Sequence, residues 1–180
     1  MTEDRSFIRP EDLWRQLGLR AEQVVVHFGV GAGFYLLPAA HIVGKHGKAI
    51  GIDVLPDMLA EAESRAKREN VEGIVRIMRA NLENEKGSSL LDNTADWVLL
   101  ANIIYQSDLP KILKEAARVV AANGHVVIVG WDVAASPFGP PVGQRIPAQT
   151  IQETAAVAGL HLTKQFAPSP YHYALVLSKS

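Results

Sequence analysis

The sequence predicts an α/β fold: a Rossmann-like seven-stranded sheet, mostly parallel with an antiparallel last strand, with helices on both faces. Three observations carry this expectation. Strand-like apolar runs alternate with helical periodicity along most of the chain, which is the pattern of successive βαβ units. The stretch VVVHFGVGAGFYLLPAAHIVGKHGKAIGID, residues 24–53, reads as strand, glycine turn, helix and a second strand that ends on a carboxylate. Near the C-terminus two strand-like segments are separated only by Ala167, Pro168, Ser169 and Pro170, a link short enough to force an antiparallel hairpin.

The elements follow in order. A polar arm leads into residues 10–19, where Leu13, Trp14 and Leu17 share one helical face and Pro10 suits a first turn. Residues 1–22 are therefore an arm and helix, a candidate lid, ahead of a single domain over residues 23–180. The first strand, residues 24–28, runs into Gly29, Gly31 and Gly33. Alternate glycines let the turn adopt backbone angles closed to other residues and let a ligand lie against bare main chain at a helix N-terminus. The helix that follows must begin close to the glycines, because Pro38 is tolerated only in a first turn. Gly44 and Gly47 end it, and residues 49–52 form a second strand leading to Asp53. A carboxylate at the tip of a second parallel strand can accept both hydroxyls of a ribose.

Pro56 opens a third helix, with Met58, Leu59, Ala62 and Ala66 expected inward and Glu61 to Arg65 and Glu63 to Lys67 as outward ion pairs. Residues 74–78 alternate with charge as a strand, and residues 96–101 form the continuous apolar run of a central parallel strand. Ser107 and Asp108 cap the next helix, whose buried face is Leu109, Ile112, Leu113, Ala116 and Val120 and whose end is expected at Gly124. Residues 126–129 are the fifth strand. After Trp131 and Asp132 the sequence VAASPFGPPVGQRIPAQ has no period of either kind and reads as a mobile loop. A last helix over residues 147–158 precedes the hairpin strands 160–166 and 171–177.

Composition narrows the function classes. A chain of 180 residues, 48% hydrophobic, suits one well-buried core. Eighteen basic and nineteen acidic residues leave a formal charge of −1, which supplies no global field to gather nucleic acid or anionic membrane. With no cysteine, disulfides and thiolate metal sites are excluded, and no histidine and carboxylate cluster has metal-ligand spacing. The N-terminus lacks the apolar core of a signal peptide and no apolar run approaches the ~18 residues of a span, so a cytoplasmic location is expected. There is no G-x-x-x-x-G-K-[ST] sequence for a P-loop. Phe34 stands where a dinucleotide turn would have a third glycine, and no Tyr is followed four residues later by Lys as in a short-chain reductase.

Taken together, HFGVGAG, IGIDVLPDML, RANLE, DWVLLANIIYQ and AARVVAANGHVVIVGWD resemble, in this order, the motifs of class I S-adenosylmethionine-dependent methyltransferases. The nearest flavour is the small ubiquinone/menaquinone-biosynthesis-like group. The resemblance spans residues 24–132, and the final hairpin also fits. It implies S-adenosyl-L-methionine laid over Gly29, Gly31 and Gly33, its ribose at Asp53, its adenine near Val54, Asn81 and Leu82, and its methionine end near Asn102. Two positions depart from the family. His27 stands where an acidic residue usually helps hold the cofactor's amino group, and Asn81 stands where many members have Asp. A neutral imidazole can accept such a hydrogen bond, whereas an imidazolium would repel the cofactor, so binding should strengthen as pH rises through the His27 titration. Residues 102–105 lack the double proline typical of enzymes that methylate amino groups of nucleic-acid bases, so the expected acceptor is a small molecule rather than DNA or RNA.

The catalytic candidates are Tyr105, Asp132, Tyr171 and His172, all expected at the sheet edge that carries the glycine turn. Each has a plainer use. Tyr105 can be packing, Asp132 can cap the following loop, and Trp131 is more often core than substrate platform. Alternation along the last strand sends His172 to the opposite face from Tyr171 and Tyr173. Methyl transfer is an in-line displacement that needs alignment, exclusion of water and at most removal of one proton, so no dedicated catalytic residue is required. Residues 133–145 and the arm through Trp14 are expected to cover the acceptor, with Phe138 and Trp14 as its apolar lid residues. The alternative function is a catalytically weak or inactive cofactor-binding regulatory or scaffold protein of the same fold, motivated by His27 and the absence of a compelling base.

Overall fold

The computed structural model describes residues 7–134 and 136–179; residues 1–6 of the arm, Ala135 of the loop and Ser180 lie outside the described residues. Helices α1 (Pro10–Leu17), α2 (Leu36–Val43), α3 (Pro56–Arg68), α4 (Leu109–Val119) and α5 (Ala148–Val157) surround seven strands. The strands are β1 (Val24–Phe28), β2 (Lys48–Asp53), β3 (Val75–Arg79), β4 (Ala95–Ala101), β5 (Val120–Trp131), β6 (Leu160–Ser169) and β7 (His172–Lys179). They form one sheet in the order β3-β2-β1-β4-β5-β7-β6. Strands β1 to β5 are parallel where they pair, and β7 runs antiparallel to both β5 and β6. The chain leaves β1 toward β2 on one side and returns to β4 on the other. The crevice outside the carboxyl ends of β1 and β4 is therefore the place where open sheets of this kind take ligands.

Alternation along β1 divides the core between two faces. Val26 and Phe28 pack with Ile112 and Leu113 of α4 and Ile151 of α5, whereas Val25 packs with Trp14 of α1 and Ala39 and Val43 of α2. Trp14 is fully buried, meets Trp97 edge to face, and donates its indole N–H to the Tyr35 carbonyl at 2.8 Å. That bond fastens α1 to the start of α2. Trp14 is thus a core residue of the α1–α2 layer and not the lid residue expected of it.

Several local expectations are corrected. Met58 faces outward at 37% exposure, and α3 buries Leu59, Ala62 and Ala66 alone. On the same helix Glu61 pairs with Arg68 at 2.9 Å, and Arg65 pairs with Glu69. Gly124 does not end a helix. Helix α4 stops at Val119, and β5 starts at once on Val120, much earlier than residue 126. A Cβ at Gly124 would come within 2.8 Å of the Ala95 and Asp96 carbonyls, so glycine is needed there for β5 to pass closely over β4. The terminal hairpin is also tighter: β6 continues through Ser169, leaving Pro170 and Tyr171 as the turn, with a register irregularity between Phe166 and Ser169 that accommodates Pro168.

Candidate functional site

Strand β1 ends in a turn whose glycines all adopt positive φ: +72° at Gly29, +52° at Gly31 and +86° at Gly33. L-residues with a Cβ avoid this region, which explains the choice of glycine. The N–H groups of Gly29 and Val30 both donate to the Ile52 carbonyl of β2, at 2.8 and 3.0 Å. Asp53, at the end of β2, closes the arrangement. Its Oδ2 accepts from Gly31 N–H at 2.9 Å, and its Oδ1 accepts from the N–H groups of Val54 and Leu55 at 2.7 and 3.1 Å. Three of roughly four lone-pair sites of that carboxylate thus hold the turn and the following loop, leaving one for a ligand.

Over this turn lies a cleft of about 310 Å³. It is lined by Gly29 after β1, by Asp53, Val54 and Leu55 at the end of β2, by Ala80, Asn81 and Leu82 after β3, by Ile103, Gln106 and Ser107 after β4, and by Ile112 of α4. Glu83 completes the lining and accepts the Asp108 N–H at 2.8 Å, which ties the rim to the start of α4. The Asn81 side chain is also engaged, its Oδ1 accepting from Glu83 N–H at 2.9 Å. Of the expected cofactor residues, Gly29, Asp53, Val54, Asn81 and Leu82 therefore share one cleft. Gly31 and Gly33 belong to the same turn but do not line it, and neither do His27 and Asn102.

His27 and Asn102 stand out for another reason. Among the described residues, the buried side-chain nitrogens and oxygens without a hydrogen-bond partner are both ring nitrogens of His27, Asn102 Oδ1 and His172 Nε2. All of them sit at the carboxyl edge of the sheet: His27 near the end of β1, Asn102 just past β4, and His172 opposite Trp131, the last residue of β5. Asn102 also has a φ of +57°, unusual outside glycine but tolerated by Asn, and its N–H donates to the Val129 carbonyl at 2.9 Å. His27 is only 2% exposed and meets Tyr35 edge to face at 5.8 Å. Burial lowers its pKa to about 4, against a smaller opposing pull from Asp53, so the ring is neutral at physiological pH. The same burial pushes the Tyr35 phenol upward.

The catalytic candidates separate. Tyr105 sits in a short 3-10 turn after β4, and its neighbours Gln106 and Ser107, rather than Tyr105 itself, line the cleft. Asp132 Oδ1 accepts the Ala134 N–H at 2.8 Å, which is the loop-capping use. Tyr171 lies in the hairpin turn, 5.4 Å from the Phe138 ring and 6.3 Å from Phe7. The His172 ring lies against Trp131, centroids 4.1 Å apart and planes tilted by 40°, and its Nδ1 lies 2.7 Å from Ser169 Oγ. Burial, with Arg145 adding to it, lowers the His172 pKa to about 4.

Sequence reasoning missed Arg145. It is 7% exposed, and its guanidinium donates to the carbonyls of Pro140, Asp132, Ala134 and Phe138 at 2.7–2.9 Å. The segment expected to be a mobile loop is therefore folded around a cation, with Gly139 pressed on the Trp131 indole. Phe7 meets Phe138 at 5.0 Å, so arm and loop touch over the hairpin. A second missed group is Glu115, 4% exposed, which accepts from Ser88 and Arg118 and pins the stretch after β3 to α4. The only signal for it was a charge on the apolar face of a helix.

Comparison with known proteins agrees with this architecture. Residues 26–128 match the family model described as a methyltransferase domain. Aklanonic acid methyltransferase DauC from Streptomyces sp. (strain C5) is 27% identical over 148 residues, 80% of this chain; the chain spans only 62% of that protein's length. A SAM dependent methyltransferase from Aquifex aeolicus superposes with a TM-score of 0.86 at 23% identity, covering 98% of this chain and 93% of its own. The CcbJ methyltransferase from Streptomyces caelestis gives 0.76 at 15% identity, covering 96% and 94%. At such identities the structural likeness speaks to the fold. Among the described residues no helix is long and apolar enough to cross a membrane, and no group of three or more His, Asp or Glu could hold a metal ion.

Proposed function

The chain belongs to the methyltransferase domain family, and from that premise we propose that it transfers the methyl group of S-adenosyl-L-methionine to a small-molecule acceptor. The observation that carries the donor site is Asp53, whose carboxylate is fixed by three backbone N–H groups at the mouth of the cleft over the glycine turn. The residues present fit that donor. Asp53 would accept a ribose hydroxyl, and the apolar side chains of Val54, Leu82 and Ile112 flank a space suited to adenine. His27 and Asn102 Oδ1 are acceptors without partners near the turn, and both suit an ammonium group. When bound, the donor supplies an electrophilic methyl on a sulfonium.

What the chain contributes is alignment and exclusion of water rather than acid–base chemistry at a dedicated residue. Neutral His27 lets a cationic ligand approach, whereas a charged ring would oppose it. Support for a small acceptor comes from the name of the DauC relative and from the near-zero formal charge of this chain. Isothermal titration of the full chain with S-adenosylmethionine, S-adenosylhomocysteine and NAD tests the reading. Binding of the two sulfur compounds and not of NAD is expected; binding of NAD alone, or of none, overturns it.

A further inference from the structure

Resting on that reading, we propose that Glu115 is a positioning residue for the base end of the donor: through Ser88 and Gly87 it holds the stretch after β3 in the shape with which Asn81, Leu82 and Glu83 line the cleft. Glu115 itself does not line it. Between Arg79, where β3 ends, and Ala95, where β4 starts, the chain forms turns and neither helix nor strand. Within this stretch Lys86, Ser89 and Asn93 have positive φ, of +50°, +57° and +57°. Side chains with a Cβ keep that conformation where their surroundings hold them in it. The shape of the stretch therefore depends on what it is tied to.

It is tied to a buried carboxylate. Glu115, on α4 and 4% exposed, accepts the Ser88 N–H at 2.9 Å and the Ser88 hydroxyl at 2.5 Å, both on Oε1. Arg118 grips both oxygens of the carboxylate, Nη2 to Oε1 at 2.7 Å and Nε to Oε2 at 2.8 Å. The same guanidinium donates to Ser88 Oγ at 3.1 Å, to the Leu90 carbonyl at 2.8 Å and to Asp92 Oδ1 at 2.6 Å. Ser88 gives its one hydroxyl proton to Glu115, and its oxygen accepts from Arg118 and, at 3.2 Å, from the Leu90 N–H. Burial alone would raise the Glu115 pKa, yet the bonds from Arg118 and Ser88 outweigh it and hold the carboxyl below its ordinary range. The anchor is charged at neutral pH.

The anchor reaches the cleft through the main chain. Gly87, next to Ser88, packs on the Asn81 carbonyl so closely that a Cβ there would overlap its oxygen. That carbonyl accepts the Asn84 N–H at 3.3 Å, and the Asn84 carbonyl accepts the Gly87 N–H at 3.0 Å, so residues 81–87 close on themselves. Helix α4 adds a second tie, from Glu83 Oε1 to the Asp108 N–H at 2.8 Å, and contributes Ile112 to the same lining. One helix thus carries both a part of the cleft and the anchor that fixes Asn81, Leu82 and Glu83 relative to it. A base is held largely by close packing, and a gap of roughly 0.5–1 Å forfeits about a quarter to a half of such contact. Affinity for the base therefore depends on Glu115, which never meets it.

Titration calorimetry of the full chain with S-adenosylhomocysteine and with adenosine, well below the unfolding temperature, tests this. Glu115→Met, which removes the acceptor for Ser88, should weaken both ligands by the same factor, about fivefold or more, because they share the base. Glu115→Gln keeps an oxygen for the Ser88 N–H and should recover part of that loss. Gly87→Ala leaves the Glu115–Arg118 pair intact, displaces Asn81 directly, and should also weaken both ligands. In the wild type, reciprocity requires S-adenosylhomocysteine to slow hydrogen exchange at the Ser88 amide. The proposal is overturned by affinities within about twofold of wild type in folded Glu115→Met or Gly87→Ala. A loss confined to S-adenosylhomocysteine, or Glu115→Gln as weak as Glu115→Met, overturns it too. So does Ser88 exchange that the ligand leaves unchanged, a measurement that decides the matter even where the variants fail to fold. Failure of S-adenosylhomocysteine to bind the wild type would instead overturn the methyltransferase reading on which it rests.

Discussion

Ile103 lies directly on Gly29, so that a Cβ added at Gly29 would overlap the Ile103 side chain at Cγ2. The loop after β4 and the turn after β1 are interlocked across the crevice in which the cleft opens. Both the shape of the cleft and the conformation of the turn depend on this contact, because Gly29 and Ile103 line the cleft together.

Gly29→Ala is accordingly expected to destabilise the fold through two separable effects. Overpacking against Ile103 costs about 1–3 kcal/mol, and an L-residue at a φ of +72° costs about another 1–3 kcal/mol. In an Ile103→Ala background the first effect should vanish and the second remain. Urea unfolding of the four proteins of that cycle checks it, and a cost of Gly29→Ala independent of residue 103 would remove the interlock.

Asp53→Ala should weaken S-adenosylhomocysteine binding and loosen the turn at once, because the same carboxylate holds Gly31, Val54 and Leu55. Loss of one charged hydrogen-bonding partner for the ligand corresponds to about 1.5–3 kcal/mol. The fold should survive, since the three freed N–H groups lie at a partly exposed edge where water can replace the carboxylate. Calorimetry together with thermal unfolding separates the two effects. An unchanged affinity in the folded variant would show that Asp53 serves the turn alone.

The units built on local pattern were legible in the sequence. Strand β1, the glycine turn, β2 and Asp53 lie within residues 24–53, where the period and the turn residues declare themselves without tertiary information. Relations whose partners have no side-chain signature were hidden. Arg145 is held by carbonyls, which any residue could provide, so the Pro- and Gly-rich stretch read as a loop with nothing to fold around. Gly124 looked like a helix stop because its true reason, two carbonyls of β4 at 2.8 Å, depends on a neighbouring strand. The departure at His27 was visible, but its burial and its shifted titration were not.

That shift gives stability a defined pH dependence. His27 has a pKa of about 4 in the fold against 6.5 for a free imidazole, so between these values the unfolded chain binds the extra proton. Its contribution is complete above about pH 6.5 and falls away toward pH 4, by roughly 3 kcal/mol at the limit. His172 shifts in the same direction, and the two losses add. His27→Gln should flatten the stability profile across this window by about half. Cofactor affinity should also be level from about pH 6 to 8, because the ring stays neutral there, rather than rising through the titration of an ordinary histidine. Urea unfolding and calorimetry at several pH values check both; a cofactor affinity that climbs between pH 6 and 7 would contradict burial of a neutral ring.

Arg145 decides whether the segment after β5 is a fixed cover or a free loop. Its guanidinium gathers four carbonyls, from Asp132 to Pro140, in a planar fork. Lysine has three donors at a single point and cannot span that set. Arg145→Lys should therefore open residues 136–144 and raise their hydrogen exchange by about tenfold or more, with little change in global unfolding, because local opening need not involve the sheet. Arg145→Met should do the same and leave the Trp131 indole exposed where Gly139 now presses on it, which tryptophan fluorescence would report. If exchange in both variants matches the wild type, the contacts of Phe138 with Phe7 and Tyr171 suffice to hold the cover, and the guanidinium is a consequence of the loop's conformation rather than its cause.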